Sequence, residues 1–426
     1  MPLGLFLYKS FTRLITPFLG VIFRRRAQSG KEDLARIPER FAESPPPRPD
    51  KELIWFHAAS VGESQVLLEL SRRLLNAGLS DVTLLFTCQT QTAAHLVEKA
   101  ISAEPLFKAE TCLQLMAPID QTKTVSLFLD HWAPSLAIFA EGEIWPNTLL
   151  ELNARNVPSV LLNARMTEKT IRGWMRWRKT ASRIFKTFDL QIAADIQTKT
   201  GLIALSGKPV TCPGNLKSAL PAPAVDQQAL AALKDQIGDR PTLLAASTHT
   251  GEEALMIDAW MMMDPRPFLI IAPRHPTRGN DVDTLLSMTR TAIARRSEGD
   301  PVTTDTEILL ADTMGEMGLW YRLADCVYLG GGHAPGVGGH NPLEALQLGK
   351  PVLTGPGVFN FRDLSERLLP LQGFSIVHTA DELAASYPAL PVSTEMTEML
   401  KSDALGPMSA TLKALAPILV KAGLRS

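Results

Sequence analysis

Five apolar runs in the first half of the chain, LIWFH from Leu53, VTLLF from Val82, SLAIFA from Ser135, PSVLL from Pro158 and LQIAA from Leu190, show no alternation of apolar and polar positions. Runs of this kind predict strands buried on both faces, as in a parallel sheet covered by helices. Between them, residues 63–76, 90–101 and 121–132 repeat apolar positions at helical spacing, so the order is strand, helix, strand. A Pro- and Ala-rich stretch, 219–241, interrupts this order and reads as a linker containing a short helix. The pattern then restarts with TLLAAS, PFLIIAP, EILLAD, CVYLGG and PVLTG, between residues 242 and 355. The chain is therefore expected to be α/β, with two doubly wound domains in tandem and a ligand cleft between the carboxyl ends of their sheets.

The first segment follows a different pattern. Residues 3–23 are apolar except for Lys9, Arg13 and a few hydroxyls, and they lack the small-residue cleavage site of a secretory signal. Roughly a dozen large apolar side chains favour insertion by about 4 to 7 kcal/mol, while two central cations oppose it by about 5 to 7, so spanning is marginal. On a helical wheel Lys9, Ser10, Thr12, Arg13 and Thr16 share one arc, opposite Leu7, Phe11, Leu14, Ile15, Phe18 and Ile22. This is the pattern of a helix lying in the membrane interface. Arg24, Arg25 and Arg26 suit anionic headgroups and place the following chain on the cytoplasmic side. The alternative is a helix packed on the protein's own core.

Composition narrows the classes. At 426 residues the chain is too long for one ordinary core, and its 45% hydrophobic and 20% charged residues are ordinary for a globular protein. A formal net charge of -1 excludes a globally basic nucleic-acid binder but allows local basic patches. One such patch is KTIRGWMRWRKTASRIFK, where Lys169, Arg172, Arg176, Arg178, Lys179, Arg183 and Lys186 alternate with Trp174, Trp177 and Phe185 and no acid intervenes. A basic, aromatic helix of this kind suits anionic lipid headgroups or lipid phosphates; a solvated charged face is the alternative, and no nucleic-acid module accompanies it. Cys88, Cys112, Cys212 and Cys326 are too scattered for a disulfide framework or a zinc site, which fits a reducing cytosol.

Polar clusters stand where the strands are expected to end: HAASVGE (57–63), EGEIWPN (141–147), NARMT (163–167), STHTGEE (247–253), PRHPTR (273–278) and DTMGEMG (312–318). The longest, YLGGGHAPGVGGHNPLEALQLGKPVLTGP (328–356), crowds Gly330, Gly331, Gly332, Gly336, Gly338 and Gly339 ahead of Asn-Pro-Leu-Glu. Backbone N–H groups approach a ligand closely where no Cβ intervenes, so this loop points to a phosphate. Asn341, Pro342 and Glu344 also make an ordinary capping box, but capping does not require six glycines. The helix they open is expected to face an anion, with Glu344 accepting ribose hydroxyls. Arg274 is expected to pair bidentately with phosphate or carboxylate; a surface salt bridge is the alternative. The DVD triplet at 281–283 reads as the acidic first turn of a helix, and no metal site is expected.

WFHAASVGE, EIWPN, NAR, GNLK, STHTGEE, APRHPTR, DTMGEMGLWYRLAD and GGHNPLEALQLGKPVLTGP followed by NF, in this order over residues 55–361, together resemble the 3-deoxy-D-manno-octulosonic acid (Kdo) transferase family of Gram-negative bacteria. The resemblance implies a GT-B glycosyltransferase that moves Kdo from CMP-Kdo to a lipid A precursor of the lipid IVA type at the cytoplasmic face of the inner membrane. On that reading residues 1–27 anchor the enzyme, 28–217 form the acceptor domain and 218–426 the donor domain. Glu63 becomes the general base of an inverting transfer; a helix-stabilising role is the alternative, with Glu141 and Glu143 next in line. Arg274, His275, Met314, Gly315, Glu316, Asn341, Glu344, Ser247, Thr248 and Lys217 are assigned to the donor. Ser60, Gly62, Glu141, Arg165, Arg172, Arg176, Arg178 and Lys179 are assigned to the acceptor and anionic lipid. No cofactor or metal beyond CMP-Kdo is expected, because the leaving phosphate ester is held by fixed donors. Two other classes fit less of the chain. A nucleotide-sugar epimerase of this architecture needs no anchor, and a noncatalytic lipid-binding protein leaves the glycine loop without a purpose.

Overall fold

The computed structural model describes residues 2–424, which divide into two compact units. One comprises the chain up to Leu220 together with the segment from Asp403 onward; the other is Pro221–Ser402.

The first unit is built on six strands: β1 (Glu52–Ala58), β2 (Val82–Cys88), β3 (Cys112–Met116), β4 (Leu136–Ala140), β5 (Ser159–Ala164) and β6 (Leu190–Ala193). They form one parallel sheet in the order β3-β2-β1-β4-β5-β6. Successive residues of one strand enter opposite cores: Ile54 and Phe56 pack with Phe86 and Ile138, whereas Leu53 and Trp55 pack with Phe139 and Leu161. Both faces are dry, which is why these runs carry no polar alternation. The strand order reverses between β1 and β4, the place where open α/β sheets bind ligands beyond their carboxyl ends.

The second unit contains β7 (Thr242–Thr248), β8 (Phe268–Pro273), β9 (Ile293–Arg295), β10 (Ile308–Leu310), β11 (Cys326–Leu329), β12 (Val352–Thr354) and β13 (Phe374–Ile376). Their order is β13-β12-β11-β7-β8-β10-β9, again parallel, and it reverses between β11 and β7. The strands that the apolar runs did not announce, β3, β9 and β13, are all sheet edges, where fewer neighbours demand apolar side chains.

Two expectations are corrected. The second domain was expected over 218–426, but Leu216 and Ala219 pack in the first unit, and from Asp403 on the long helix Thr394–Lys421 does so as well. Met408, Leu415 and Leu419 join the Phe56 core, and Lys421 pairs with Asp189 at 2.5 Å. The basic stretch is two helices, Glu168–Met175 and Arg178–Phe185, separated at Trp177. Although no acid lies within the stretch, Glu168 just before it lies 3.7 Å from Arg172. Gly62, assigned to the acceptor, sits in the first turn of helix Val61–Asn76, where a Cβ would meet Lys217 Cε at 3.3 Å.

The N-terminal helix, Leu3–Gln28, is long and apolar enough to cross a membrane by length and composition, with a mean hydropathy of 1.3 over its most apolar window. Leu5 is nevertheless buried in the Trp55 core.

Candidate active site

In the first unit the segments after β1 and β4 bring three acidic side chains together, with Asn163 of β5 beside them. Ser60 caps helix Val61–Asn76 and Glu63 closes the box: its carboxylate accepts from the Ala59 N–H at 2.7 Å and the Ser60 hydroxyl at 2.8 Å. The helix-stabilising role of Glu63 is thus real. Its surroundings go further than a cap needs. Burial, reinforced by the nearby charges of Glu141 and Glu143, pushes the Glu63 carboxyl above its ordinary range against the pull of those two hydrogen bonds.

Each neighbouring acid has its own partners. Glu141, in a left-handed backbone conformation just after β4, meets Lys217 Nζ at 2.6 Å and the Asn163 amide at 3.3 Å. Asn163 in turn accepts from the Leu216 N–H at 2.8 Å, which fixes the GNLK segment at the end of β5. Glu143 Oε2 is held by His57 Nε2 at 3.0 Å and by the Trp145 indole N–H at 2.9 Å. Burial opposes its charge, but the His57 hydrogen bond and charge and the Trp145 N–H outweigh that and keep Glu143 below the usual carboxylate range. The Thr87 hydroxyl oxygen accepts from the Trp55 indole N–H at 2.8 Å and lies 2.8 Å from His57 Nδ1. With Glu143 ionised, the His57 Nε2–H donates in this hydrogen bond and the carboxylate accepts. His57 escaped the sequence reading, although its place at the end of an apolar strand was a usable signal. Lys217, assigned to the donor, lies among these acids in the first unit. Arg165 follows β5. Arg172, Arg178 and Lys179 on the two basic helices, and Arg176 between them, are exposed.

In the second unit the two acids of STHTGEE organise the loops. Glu252 is 1% exposed and accepts from the N–H groups of Gly331, His333 and His249 at 2.7, 2.9 and 3.0 Å and from the Tyr328 hydroxyl at 3.3 Å. Glu253 takes the Thr248 hydroxyl at 2.8 Å and the Arg278 guanidinium at 2.7 and 3.1 Å. The Thr248 side chain is therefore turned inward, while its carbonyl accepts from the Arg274 N–H at 2.9 Å. Ser247 takes a left-handed conformation beside it. Gly331 has φ 84°, and a Cβ on Gly332 would lie 2.5 Å from the Gly355 nitrogen, so the loops after β11 and β12 touch backbone to backbone. Glu252 was visible in the sequence only as one member of a cluster; its role as the pin of the glycine loop was not.

Around Arg274 the electrostatics are distinctive. His340 Nε2 lies 2.8 Å from His249 Nε2. Burial, followed by the charge of Arg274, pushes His340 down to about 4, so it is neutral at physiological pH. Burial raises the Glu344 carboxyl while Arg274 pulls it back. His275 stands edge-on to His249 with ring centroids 6.3 Å apart. The helix expected after Asn341 is a single turn, Leu343–Leu346, and Asn341 Oδ1 accepts from the Leu343 N–H at 3.2 Å without reaching the third position of a capping box. Met314 is exposed, and Gly315 has φ 83°. Glu316 pairs with Arg296 at 2.7 Å, a contact that overcomes burial and holds its carboxyl low. Among the described residues no group of three or more His, Cys, Asp or Glu side chains is arranged to hold a metal ion.

Residues 35–220 match the family model described as 3-deoxy-D-manno-octulosonic-acid transferase (kdotransferase). The chain is 30% identical over 384 residues to the 3-deoxy-D-manno-octulosonic acid transferase of Rickettsia bellii (strain RML369-C), covering 88% of each. It is 31% identical over 408 residues to the protein of the same name from Haemophilus influenzae, covering 93% of this chain and 92% of that one. Among solved structures, a glycosyltransferase from Rickettsia africae ESF-5 superposes with a TM-score of 0.56 at 13% identity, over 89% of this chain and 100% of that one, a likeness of fold alone. The two parallel sheets thus have the GT-B type of architecture. Identity that runs through both units makes the chain a member of the 3-deoxy-D-manno-octulosonic acid transferase family, glycosyltransferases that transfer Kdo in lipopolysaccharide biosynthesis.

Proposed function

We propose that this enzyme transfers Kdo from CMP-Kdo to a lipid A precursor of the lipid IVA type, with inversion at the anomeric carbon and Glu63 as general base. The observation that carries the proposal is the cluster of three carboxylates beyond β1 and β4. Each has fixed cation, N–H or hydroxyl partners, yet burial and the two neighbouring charges still raise the proton affinity of Glu63. A base must lose its proton before the reaction and take one during it, so a carboxyl poised above its ordinary range suits the role.

In the second unit Arg274, His275 and the N–H groups of the glycine loop offer the donors that a phosphate and a sugar carboxylate require, with Glu344 available to ribose hydroxyls. The Met314, Gly315 and Glu316 turn is the candidate for the cytosine. As the acceptor hydroxyl attacks the anomeric carbon its proton passes to Glu63, and CMP leaves with its phosphate held by the same donors. Ser60, Glu141 and Arg165 are the candidate contacts of the acceptor sugar. Arg172, Arg176, Arg178 and Lys179 are candidates for its phosphates and for anionic headgroups at the cytoplasmic face of the inner membrane, where the N-terminal helix holds the enzyme.

The full-length protein incubated with CMP-Kdo and a tetraacylated lipid A precursor is expected to yield lipid heavier by whole Kdo residues, with one CMP released per residue added. Mass spectrometry of the lipid reads the result. Donor consumed to free Kdo while the lipid stays unchanged would remove the acceptor from the proposal.

A further inference from the structure

We infer that the N-terminal helix does not cross the bilayer but lies along its surface, mounted on the first unit with an apolar stripe turned into the anionic leaflet. This rests on the reading that the enzyme works at a membrane. It concerns how the helix meets that membrane.

The side of the helix that faces the protein is held by apolar and polar contacts alike, with Leu5 buried in the Trp55 core and two hydrogen bonds reaching the first unit. The Tyr8 hydroxyl donates to Asp120 Oδ2 at 2.8 Å, and Thr12 Oγ1 accepts from the Asn147 amide at 3.3 Å. Gly4 closes on the second basic helix, where a Cβ would lie 2.6 Å from Thr180 Oγ1. At the far end Phe23 packs edge-on against Phe41 at 6.0 Å, and the Arg40 guanidinium lies 5.6 Å from its ring centre. From Leu5 to Phe23 these attachments extend over about 27 Å of helix, nearly the roughly 30 Å thickness of a bilayer's hydrocarbon.

A spanning orientation with these contacts intact would carry their partners into the hydrocarbon. Asp120, in irregular backbone, is a buried carboxylate that also accepts from the Asn147 and Thr148 N–H groups of the first turn of helix Pro146–Ala154 at 3.0 and 2.8 Å. Irregular backbone of this kind is not tolerated facing lipid. The outer face is mainly apolar: Leu3, Leu7, Phe11, Leu14, Phe18, Val21 and Ile22 are 41% to 72% exposed and follow one another at helical spacing, with Ser10 and Arg13 exposed beside them.

Charge supplies the occupant. Arg24 and Arg25 are exposed at the end of the helix. At its start, Trp177 lies 3.1 Å from the Gly4 Cβ position and is flanked by exposed Arg176, Arg178 and Lys179. A spanning helix would place these two cationic groups on opposite sides of the membrane. A helix in the plane places both on one anionic leaflet, with the stripe sunk to the headgroup–acyl boundary.

The test uses full-length protein in spheroplasts and in inverted inner-membrane vesicles, with Cys212 replaced by Ser and single cysteines introduced as Leu3→Cys or Gln28→Cys. A membrane-impermeant maleimide is expected to leave both unlabelled from outside and to label Gln28→Cys in inverted vesicles. Leu3→Cys is expected to become reactive only after detergent or from the inner side. Labelling of Leu3→Cys from outside would establish spanning and overturn the inference. Recovery of the protein in the soluble fraction would instead overturn the membrane reading beneath it. A Gly4→Cys/Thr180→Cys pair provides a second readout, because the Thr180 Cβ lies 3.3 Å from the Gly4 Cβ position, close to the about 3.5 to 4.5 Å that a disulfide spans. Oxidation in native membranes should close it with Kdo transfer retained. Failure to close there, or closure with release from the membrane, would contradict a docked, in-plane helix.

Discussion

Replacing Glu252 by Gln changes one atom of the pin that holds the glycine loop. The carboxylate serves Gly331 and His249 through Oε2 and His333 and Tyr328 through Oε1. Glutamine retains one acceptor oxygen. If it faces Gly331 and His249, the new NH2 group confronts the His333 N–H where an acceptor stood at 2.9 Å; the Tyr328 hydroxyl can turn and accept, but the backbone N–H cannot. The loss is one charge-assisted hydrogen bond with a buried donor left over, about 1.5 to 3 kcal/mol. At about 2 to 4 °C per kcal/mol for a unit of this size, the second unit should melt about 3 to 12 °C lower. Glu252→Ala, which deprives three backbone N–H groups of their acceptor, should cost at least about 3 kcal/mol. If the freed loop keeps its ligand-ready form only a tenth of the time, CMP affinity falls about tenfold. Scanning calorimetry and titration with CMP read both quantities, with Asp258→Asn, on the exposed face of the same helix, as the control. A Glu252→Gln protein that melts and binds CMP as the parent does would refute the pinning role.

Arg274→Ala should weaken CMP binding by about 1 to 3 kcal/mol in calorimetry, the value of a hydrogen bond to a charged group; unchanged affinity removes Arg274 from the donor site. Because burial and two neighbouring acids raise Glu63, kcat/KM should fall with falling pH through a limb above the ordinary carboxylate range, and Glu141→Gln should move that limb downward in a pH–rate profile. The sign for stability is opposite: folded Glu63 binds its proton more tightly than unfolded, so its contribution to stability shrinks as pH rises from the ordinary value to the raised one. Leu14→Ser with Phe18→Ser should weaken binding to anionic vesicles at least about a hundredfold, at about 1.5 to 3 kcal/mol per side chain, without moving the melting temperature.

The interior of both sheets was legible because a strand buried on two faces admits few residues besides apolar ones, and Trp55, Phe56, Ile138 and Ile270 obey that constraint. Edge strands escape it: β9 is Ile-Ala-Arg and β13 is Phe-Ser-Ile. The positions of the polar clusters were also legible, since strand ends followed from the runs. Which acid faces a ligand and which ties down a loop was not. Glu252 meets Gly331 from 79 positions away and His57 meets Glu143 from 86, and local sequence does not encode such pairings. The return of the chain after Asp403 was hidden for the same reason, because the apolar face of Met408, Leu415 and Leu419 shows that a helix is covered without showing by which unit.

The role of Glu63 is tested most directly by following lipid product from parent and Glu63→Gln enzymes side by side, at saturating CMP-Kdo and lipid acceptor, together with CMP affinity and melting temperature. The amide keeps an oxygen for the Ala59 N–H and can donate to Ser60, so folding and CMP binding should remain close to those of the parent, while turnover falls about 10² to 10⁴-fold. Near-parental turnover with a lowered melting temperature would make Glu63 a helix-capping residue and pass the search for the base to Glu141 and Glu143.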